Sequence, residues 1–150
     1  MEIKITTLSE NTANYGFLAE WGLSILVEVD GQRILVDTGL GTSAVNNAKV
    51  SGIDLAGIDR IVLSHGHADH TGGLREVLMQ TGKVEVIAHP DIWTQKYTRR
   101  DSESKEQYIG VPFPKDELEG LGAHFNLTEE PVRISENIMT TGEIPMATDY

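Results

Sequence analysis

The chain has 150 residues, 23 acidic against 12 basic side chains, a net charge of −11 and no cysteine. That length allows one compact domain. The charge argues against nucleic acid as a partner, because such binding runs on Lys and Arg releasing counterions from phosphates. Disulfides and thiolate metal sites are excluded outright.

No apolar run approaches the roughly 20 residues that span a bilayer, so no membrane partner is expected. Met1-Glu2-Ile3-Lys4-Ile5 alternates like a strand and lacks the charged-then-apolar pattern of a signal peptide. The expectation is a cytoplasmic protein acting on a small molecule.

Ile3, Ile5 and Thr7 alternate against polar neighbours, which predicts a half-buried first strand over Glu2 to Leu8. Ser9 to Glu20 reads as a loop. Leu23 to Val29 and Arg33 to Val36 are apolar and β-branched, and Asp30-Gly31-Gln32 between them signals a hairpin, since Gly31 accepts positive φ. Asp37 arrives as the third strand stops, in a position where Asp caps turns through its own backbone.

Thr42 or Ser43 can start a helix running to Ser51, with Ala44, Val45 and Ala48 as its apolar side and Gly52 as its stop. Ile53 to Ile58 is a connector. Arg60-Ile61-Val62-Leu63 reads as a buried central strand that delivers Ser64 and a histidine-rich run at a strand's carboxyl end, where open α/β sheets place ligands.

That run, His65-Gly66-His67-Ala68-Asp69-His70, holds three of the chain's five histidines and a carboxylate within six residues. Neutral imidazole and carboxylate are donors that Zn²⁺, Mn²⁺ and Fe accept. Residues two apart in extended backbone point the same way, so His65 and His67 can close on one ion. Asp69 and His70 then face a neighbouring position, which suggests a second ion.

A helix is predicted from Thr71 to Gln80, with Leu74, Val77 and Leu78 on one face. Gly72 and Gly73 have two readings: N–H groups at a helix start that receive an anionic substrate group, or a tight turn with close packing. Val84 to Ala88 is a second buried-type strand ending at His89. If a crossover helix makes it parallel to the first, His89 lies on the side of the metal loop. It either lines the pocket or is an ordinary hydrogen-bonded histidine.

From Asp91 to Val111 the pattern breaks. Trp93 and Tyr97 sit at helical spacing, and Arg99 to Glu106 is a charged surface insertion. Lys115 to Leu118 is a short helix ending around Gly120 and Gly122. Ala123 to Leu127, Val132 to Ile134 and Ile138 to Thr140 read as strands, with His124 at the surface or filling the sheet.

The run His65 to His70 resembles the His-x-His-x-Asp-His signature of the metallo-β-lactamase-fold hydrolases, and Val36-Asp37-Thr38-Gly39 resembles their first motif. Trp21-Gly22-Leu23-Ser24 and Thr141-Gly142-Glu143-Ile144-Pro145 resemble the dihydropterin–ribofuranosyl-aminobenzene-phosphate synthase-like subgroup.

The resemblance implies an α/β fold, the αββα sandwich, here incomplete: the N-terminal sheet with its helices and the start of the second half, in one domain over 1–150. It implies His65, His67, Asp69 and His70 as ligands of Zn²⁺ or two such ions, with Mn²⁺ or Fe as alternatives. Asp69 would serve as ligand and proton acceptor. Asp37 would sit beneath the loop and orient it.

In the family the remaining ligands come from segments beyond the point where this sequence stops. The chain is therefore expected to be the first part of a longer protein, a homo-oligomer, or one half completed by a C-terminal partner chain, and to be poorly active alone. Three functions remain open: a hydrolase of esters, lactones, thioesters or phosphodiesters; the condensing transferase of the subgroup, against which Met146 stands where the subgroup has Arg; and a non-catalytic subunit.

Overall fold

In a computed structural model that describes residues 2–101, 103–145 and 147, the chain builds a mixed sheet of order β1-β2-β3-β4-β5-β8. The strands are β1 (Ile3–Ser9), β2 (Ser24–Val29), β3 (Gln32–Val36), β4 (Arg60–Val62), β5 (Val84–Ala88) and β8 (Ala123–Leu127). A separate two-stranded ribbon joins β6 (Tyr97–Thr98) to β7 (Gln107–Tyr108).

β1, β2 and β3 run antiparallel in sequence. The β2–β3 turn has Asp30 at φ +49° and Gly31 at φ +82°, the two left-handed residues that a tight right-twisted hairpin requires. From β3 onward the neighbours are parallel, β3 to β4 to β5 to β8. Each of those steps returns through a helical segment, and right-handed crossovers in one direction put all of them on the same face.

Those helices are α1 (Ser43–Val50), α3 (Leu74–Thr81) and α4 (Lys115–Gly120). Under them lies one register row, Leu26, Leu35, Ile61 and Val86, each fully buried. Ala44 and Ala48 of α1, Leu74, Val77 and Leu78 of α3 and Leu118 of α4 close on that row. The opposite face carries Ile5, Val27, Ile34, Arg60, Glu85 and His124 in another row. It remains partly open, with Ile5 66% exposed.

Two expectations change here. The helix foreseen from Thr71 divides into a single turn, α2 (Ala68–Thr71), that begins inside the His-rich run, and α3, which starts after Gly73. Trp93 and Tyr97 do not share a helix: a 3₁₀ turn covers Pro90–Trp93, while Tyr97 stacks edge-on against Tyr108 across the ribbon. The charged insertion forms the ribbon's tip, tied by Arg99 to Glu106 at 2.6 Å.

Val132 to Ile134 and Ile138 to Thr140 form no ladder among the described residues: an isolated bridge joins Arg133 to Met139, and the Val132 N–H donates to the Thr140 hydroxyl at 2.9 Å. The position of Met146 lies outside the described residues. Among the described residues no helix is long and apolar enough to cross a membrane.

Candidate metal centre

The parallel pair β3–β4 determines where the chemistry sits. Both strands end at the same height, so Asp37 after β3 and Ser64 after β4 meet side by side. Asp37 is 1% exposed and holds φ +56°, a conformation a non-glycine residue keeps only when its surroundings impose it. They do: its N–H donates to the Val62 carbonyl at 2.9 Å, and its own carbonyl accepts from Ser24 Oγ at 2.9 Å.

The Asp37 carboxylate faces the His-rich loop. Oδ1 accepts the Ser64 N–H at 2.8 Å; Oδ2 accepts the Ser64 hydroxyl at 2.7 Å and lies 2.8 Å from His70 Nδ1. His70 therefore carries its proton on Nδ1 and presents Nε2 outward. Ser64 Oγ also lies 2.9 Å from His65 Nδ1. A hydroxyl has one proton, and Asp37 takes it, so His65 Nδ1–H must donate to Ser64 and its Nε2 too is the free nitrogen.

One buried carboxylate thus fixes two rings, one directly and one through Ser64. The sequence alone does not show the role of Ser64; its place between strand end and first histidine is the signal it offers.

The free nitrogens converge. His65, Asp69 and His70 each offer a ligating atom within 4.8 Å of the others. His65 Nε2 is 3.0 Å from His67 Nδ1, and His70 Nε2 is 3.6 Å from Asp69 Oδ2. With metal–ligand bonds near 2.0–2.2 Å, the edge of a tetrahedral site is roughly 3.3 Å, so these spacings and this donor chemistry fit a divalent cation.

The grouping differs from the expected split into His65 with His67 and Asp69 with His70: His65 belongs to both sets. Burial lowers the pKa of His65, with further lowering by His70 and His67 and partial opposition from Asp37 and Asp69. That favours the neutral ring a metal needs.

The loop is tied down by its backbone. Thr38 donates both its N–H and its hydroxyl to the His70 carbonyl, at 2.8 and 2.9 Å. Leu23 N–H donates to the Asp69 carbonyl at 3.2 Å, and a Cβ on Gly22 would overlap that same oxygen. Ala68 N–H reaches Ile109 at 2.8 Å, which anchors the chain returning from the β6–β7 ribbon.

Gly72 and Gly73 do not offer free N–H groups to an anion. Gly72 donates to Ala68 at 2.7 Å and Gly73 to Gly39 at 3.0 Å. Cβ atoms there would overlap the carbonyl oxygens of Leu40 and Thr38, so close packing is their function.

His89 stands at the end of β5, parallel to β4, and shares with His65 the wall of a cavity of about 580 Å³. Its Nδ1 accepts the Asp91 N–H at 3.1 Å. Its Nε2 is buried without a partner among the described residues. It belongs not to the His65 group but to a second one, with Glu129 and Glu143. His124 pairs with Glu85 in the first half of β8, away from the strand ends that carry the loop.

Residues 22–137 match the family model of the metallo-beta-lactamase superfamily. The chain belongs to this superfamily. Its fold is the α/β metallo-β-lactamase fold, and within the superfamily it resembles the synthase-like subgroup.

It is 35% identical over 150 residues to the 7,8-dihydropterin-6-methyl-4-(beta-D-ribofuranosyl)-aminobenzene-5'-phosphate synthase of Methanocaldococcus jannaschii, covering 95% of this chain and 51% of that protein. The solved structure of Tm1679, a metal-dependent hydrolase of the beta-lactamase superfamily, superposes with a TM-score of 0.72 at 27% identity, over 92% of this chain and 47% of that one. YhfI from Bacillus subtilis shares the fold, with a TM-score of 0.52 at 20% identity over 89% of this chain and 49% of its own. The chain spans about half the length of the relatives it matches.

Proposed function

We propose that this chain carries the metal-binding half of a metal-dependent hydrolase whose substrate is a small ester, lactone, thioester or phosphodiester. The observation that carries the reading is the fixed pair of rings: His65 through Ser64 and His70 directly, both oriented by Asp37, with His65 Nε2 turned to His67 Nδ1 and His70 Nε2 to Asp69. His65, His67, Asp69 and His70 would hold the cation, Zn²⁺ first and Mn²⁺ or Fe as alternatives. A bound cation supplies a Lewis acid that polarises the bond under attack and makes water a nucleophile near neutral pH.

The chain's own part is orientation. Asp37 and Ser64 keep the imidazoles from rotating, and Asp69 supplies a carboxylate next to the cation that can accept a proton. A catalytic zinc usually has three protein ligands and a water, so two ions would need ligands beyond these four. We propose that a further segment, a second copy or a partner chain supplies them over the open face of the sheet.

The 35% identity to the Methanocaldococcus synthase supports a second reading, a transferase condensing a dihydropterin with a ribosyl-aminobenzene phosphate. Equilibrium dialysis with Zn²⁺ and Mn²⁺ tests the first part: the 150-residue chain alone should bind weakly and turn over little. Tight binding of two ions by the isolated chain would overturn the need for further ligands. Products then separate the readings, hydrolysis of an ester panel against condensation with loss of pyrophosphate.

A further inference from the structure

The cavity of about 580 Å³ beside His65 has acidic walls, with Asp91, Glu130 and Glu143 among its lining side chains, and Lys96 is its one Lys or Arg among the described residues. An ammonium in that company is expected to pair with a carboxylate. Lys96 forms no ion pair among the described residues. Backbone carbonyls hold it instead: Thr94 at 2.9 Å, with Ile92 at 3.4 Å and Asp91 at 3.5 Å. The first is a hydrogen bond of ordinary length and the other two are long, so the half-buried ammonium keeps donor capacity and a charge that no side chain neutralises.

Lys96 stands against the metal loop. A Cβ added to Gly66, the residue between His65 and His67, would lie 3.0 Å from Lys96 Nζ. The backbone is pinned there as well: the Ile109 N–H donates to the Lys96 carbonyl at 2.9 Å, and the Ile109 carbonyl accepts the Ala68 N–H at 2.8 Å. Ile87 and Ile144 supply apolar wall in the same cavity. Apolar walls with a few convergent polar groups that fix orientation are how small-molecule sites are built.

We infer that Lys96 is the anion-binding residue of this site, and that the substrate is an ester, thioester or lactone that also bears a carboxylate, paired with the ammonium while the reacting carbonyl lies toward His65. The inference rests on the hydrolase reading and narrows its substrate class. Charge count selects the carboxylate. One ammonium offsets one negative charge, and the three acids of the wall repel the dianion of a phosphate monoester more strongly than a monoanion.

The test is titration of the metal-free 150-residue chain with phenylacetate, with phenylacetamide as its uncharged isostere and with phenyl phosphate as the dianion, alongside zinc titration and urea unfolding of the same proteins. Wild type should bind phenylacetate about tenfold more tightly than the amide, because hydrogen bonds between charged groups are the stronger ones, and added salt should erode the difference. Lys96→Met keeps the apolar stem and should bind acid and amide alike, with zinc affinity not reduced. Lys96→Arg should retain the preference.

Equal binding of acid and amide by wild type would overturn the subsite, a comparison that needs no variant, and zinc binding by the same protein would leave the hydrolase reading standing. A preference that persists in Lys96→Met, with a lowered urea midpoint, would show that the lysine only caps the Pro90–Trp93 turn. Phenyl phosphate bound more tightly than phenylacetate would overturn the carboxylate assignment. Preference for the acid in a chain that binds no zinc would overturn the hydrolase reading and leave the anion subsite.

Discussion

Asp37 Oδ2 lies 2.8 Å from His70 Nδ1, and the same oxygen accepts the Ser64 hydroxyl at 2.7 Å. A single buried carboxylate therefore holds two side-chain donors at once. Removing it in Asp37→Ala takes the acceptor away from the Ser64 N–H, the Ser64 hydroxyl and the His70 N–H together. Groups that orient metal-binding histidines are worth about 10–100-fold in affinity, so zinc affinity should drop by that factor in a chelator-competition titration. Unchanged affinity would mean that Asp37 is only a turn residue.

Ser64 offers a finer probe, because the residue is exposed while its bonds are directional. Ser64→Ala keeps the backbone bond to Asp37 Oδ1 and deletes the hydroxyl that links Asp37 to His65 Nδ1. Zinc affinity should fall about tenfold with little change in urea midpoint. Its effect should be much smaller in the Asp37→Ala background, since residues of one hydrogen-bond network do not add. Fully additive losses would break the proposed chain from His65 through Ser64 to Asp37.

Much of this is legible in the sequence, and for identifiable reasons. The Asp30-Gly31 hairpin, the buried Arg60 to Leu63 strand and the parallel return through Val84 to Ala88 follow from local turn chemistry and apolar pattern, which the tertiary structure does not contradict. The clustering of His65, Asp69 and His70 is legible because all three lie in one short segment. Ser64 is not, since its role depends on a proton count among groups from two strands.

Nor is the packing at Gly72 and Gly73 decidable from sequence. It depends on the carbonyls of Leu40 and Thr38, some thirty residues away. Trp93 and Tyr97 mislead because helical spacing over four residues is weak; Trp93 instead donates from Nε1 to the Phe113 carbonyl at 3.1 Å and packs on Phe125.

Two glycines separate close packing from mere backbone freedom. A Cβ at Gly72 overlaps the Leu40 and Ala68 carbonyls, whereas one at Gly120, in the last turn of α4, meets nothing within 4 Å. Gly72→Ala should lose about 1–3 kcal/mol, the usual cost of overpacking, and weaken zinc binding by shifting the loop. Gly120→Ala should be neutral or stabilising by about 0.5–1 kcal/mol. Urea unfolding of both variants decides; equal losses would mean that the contact at Gly72 is readily relieved.

Glu85 links the open face of the sheet to pH. Burial pushes its pKa up, but hydrogen bonds from Asn126 and Arg60, with the Arg60 charge, outweigh that and leave it below the usual carboxylate value. Arg60 Nε lies 2.7 Å from Glu85 Oε2, and Asn126 Nδ2 lies 2.9 Å from Oε1. A carboxyl whose folded pKa is depressed contributes stability that is present above the unfolded value and lost as pH falls through the folded one. Wild type should therefore lose more stability than Glu85→Gln between about pH 5 and about pH 3, with the two curves converging at the acid end. Parallel curves in urea titrations across that range would show that the Arg60–Glu85 pair adds nothing to the fold, as exposed ion pairs often do not.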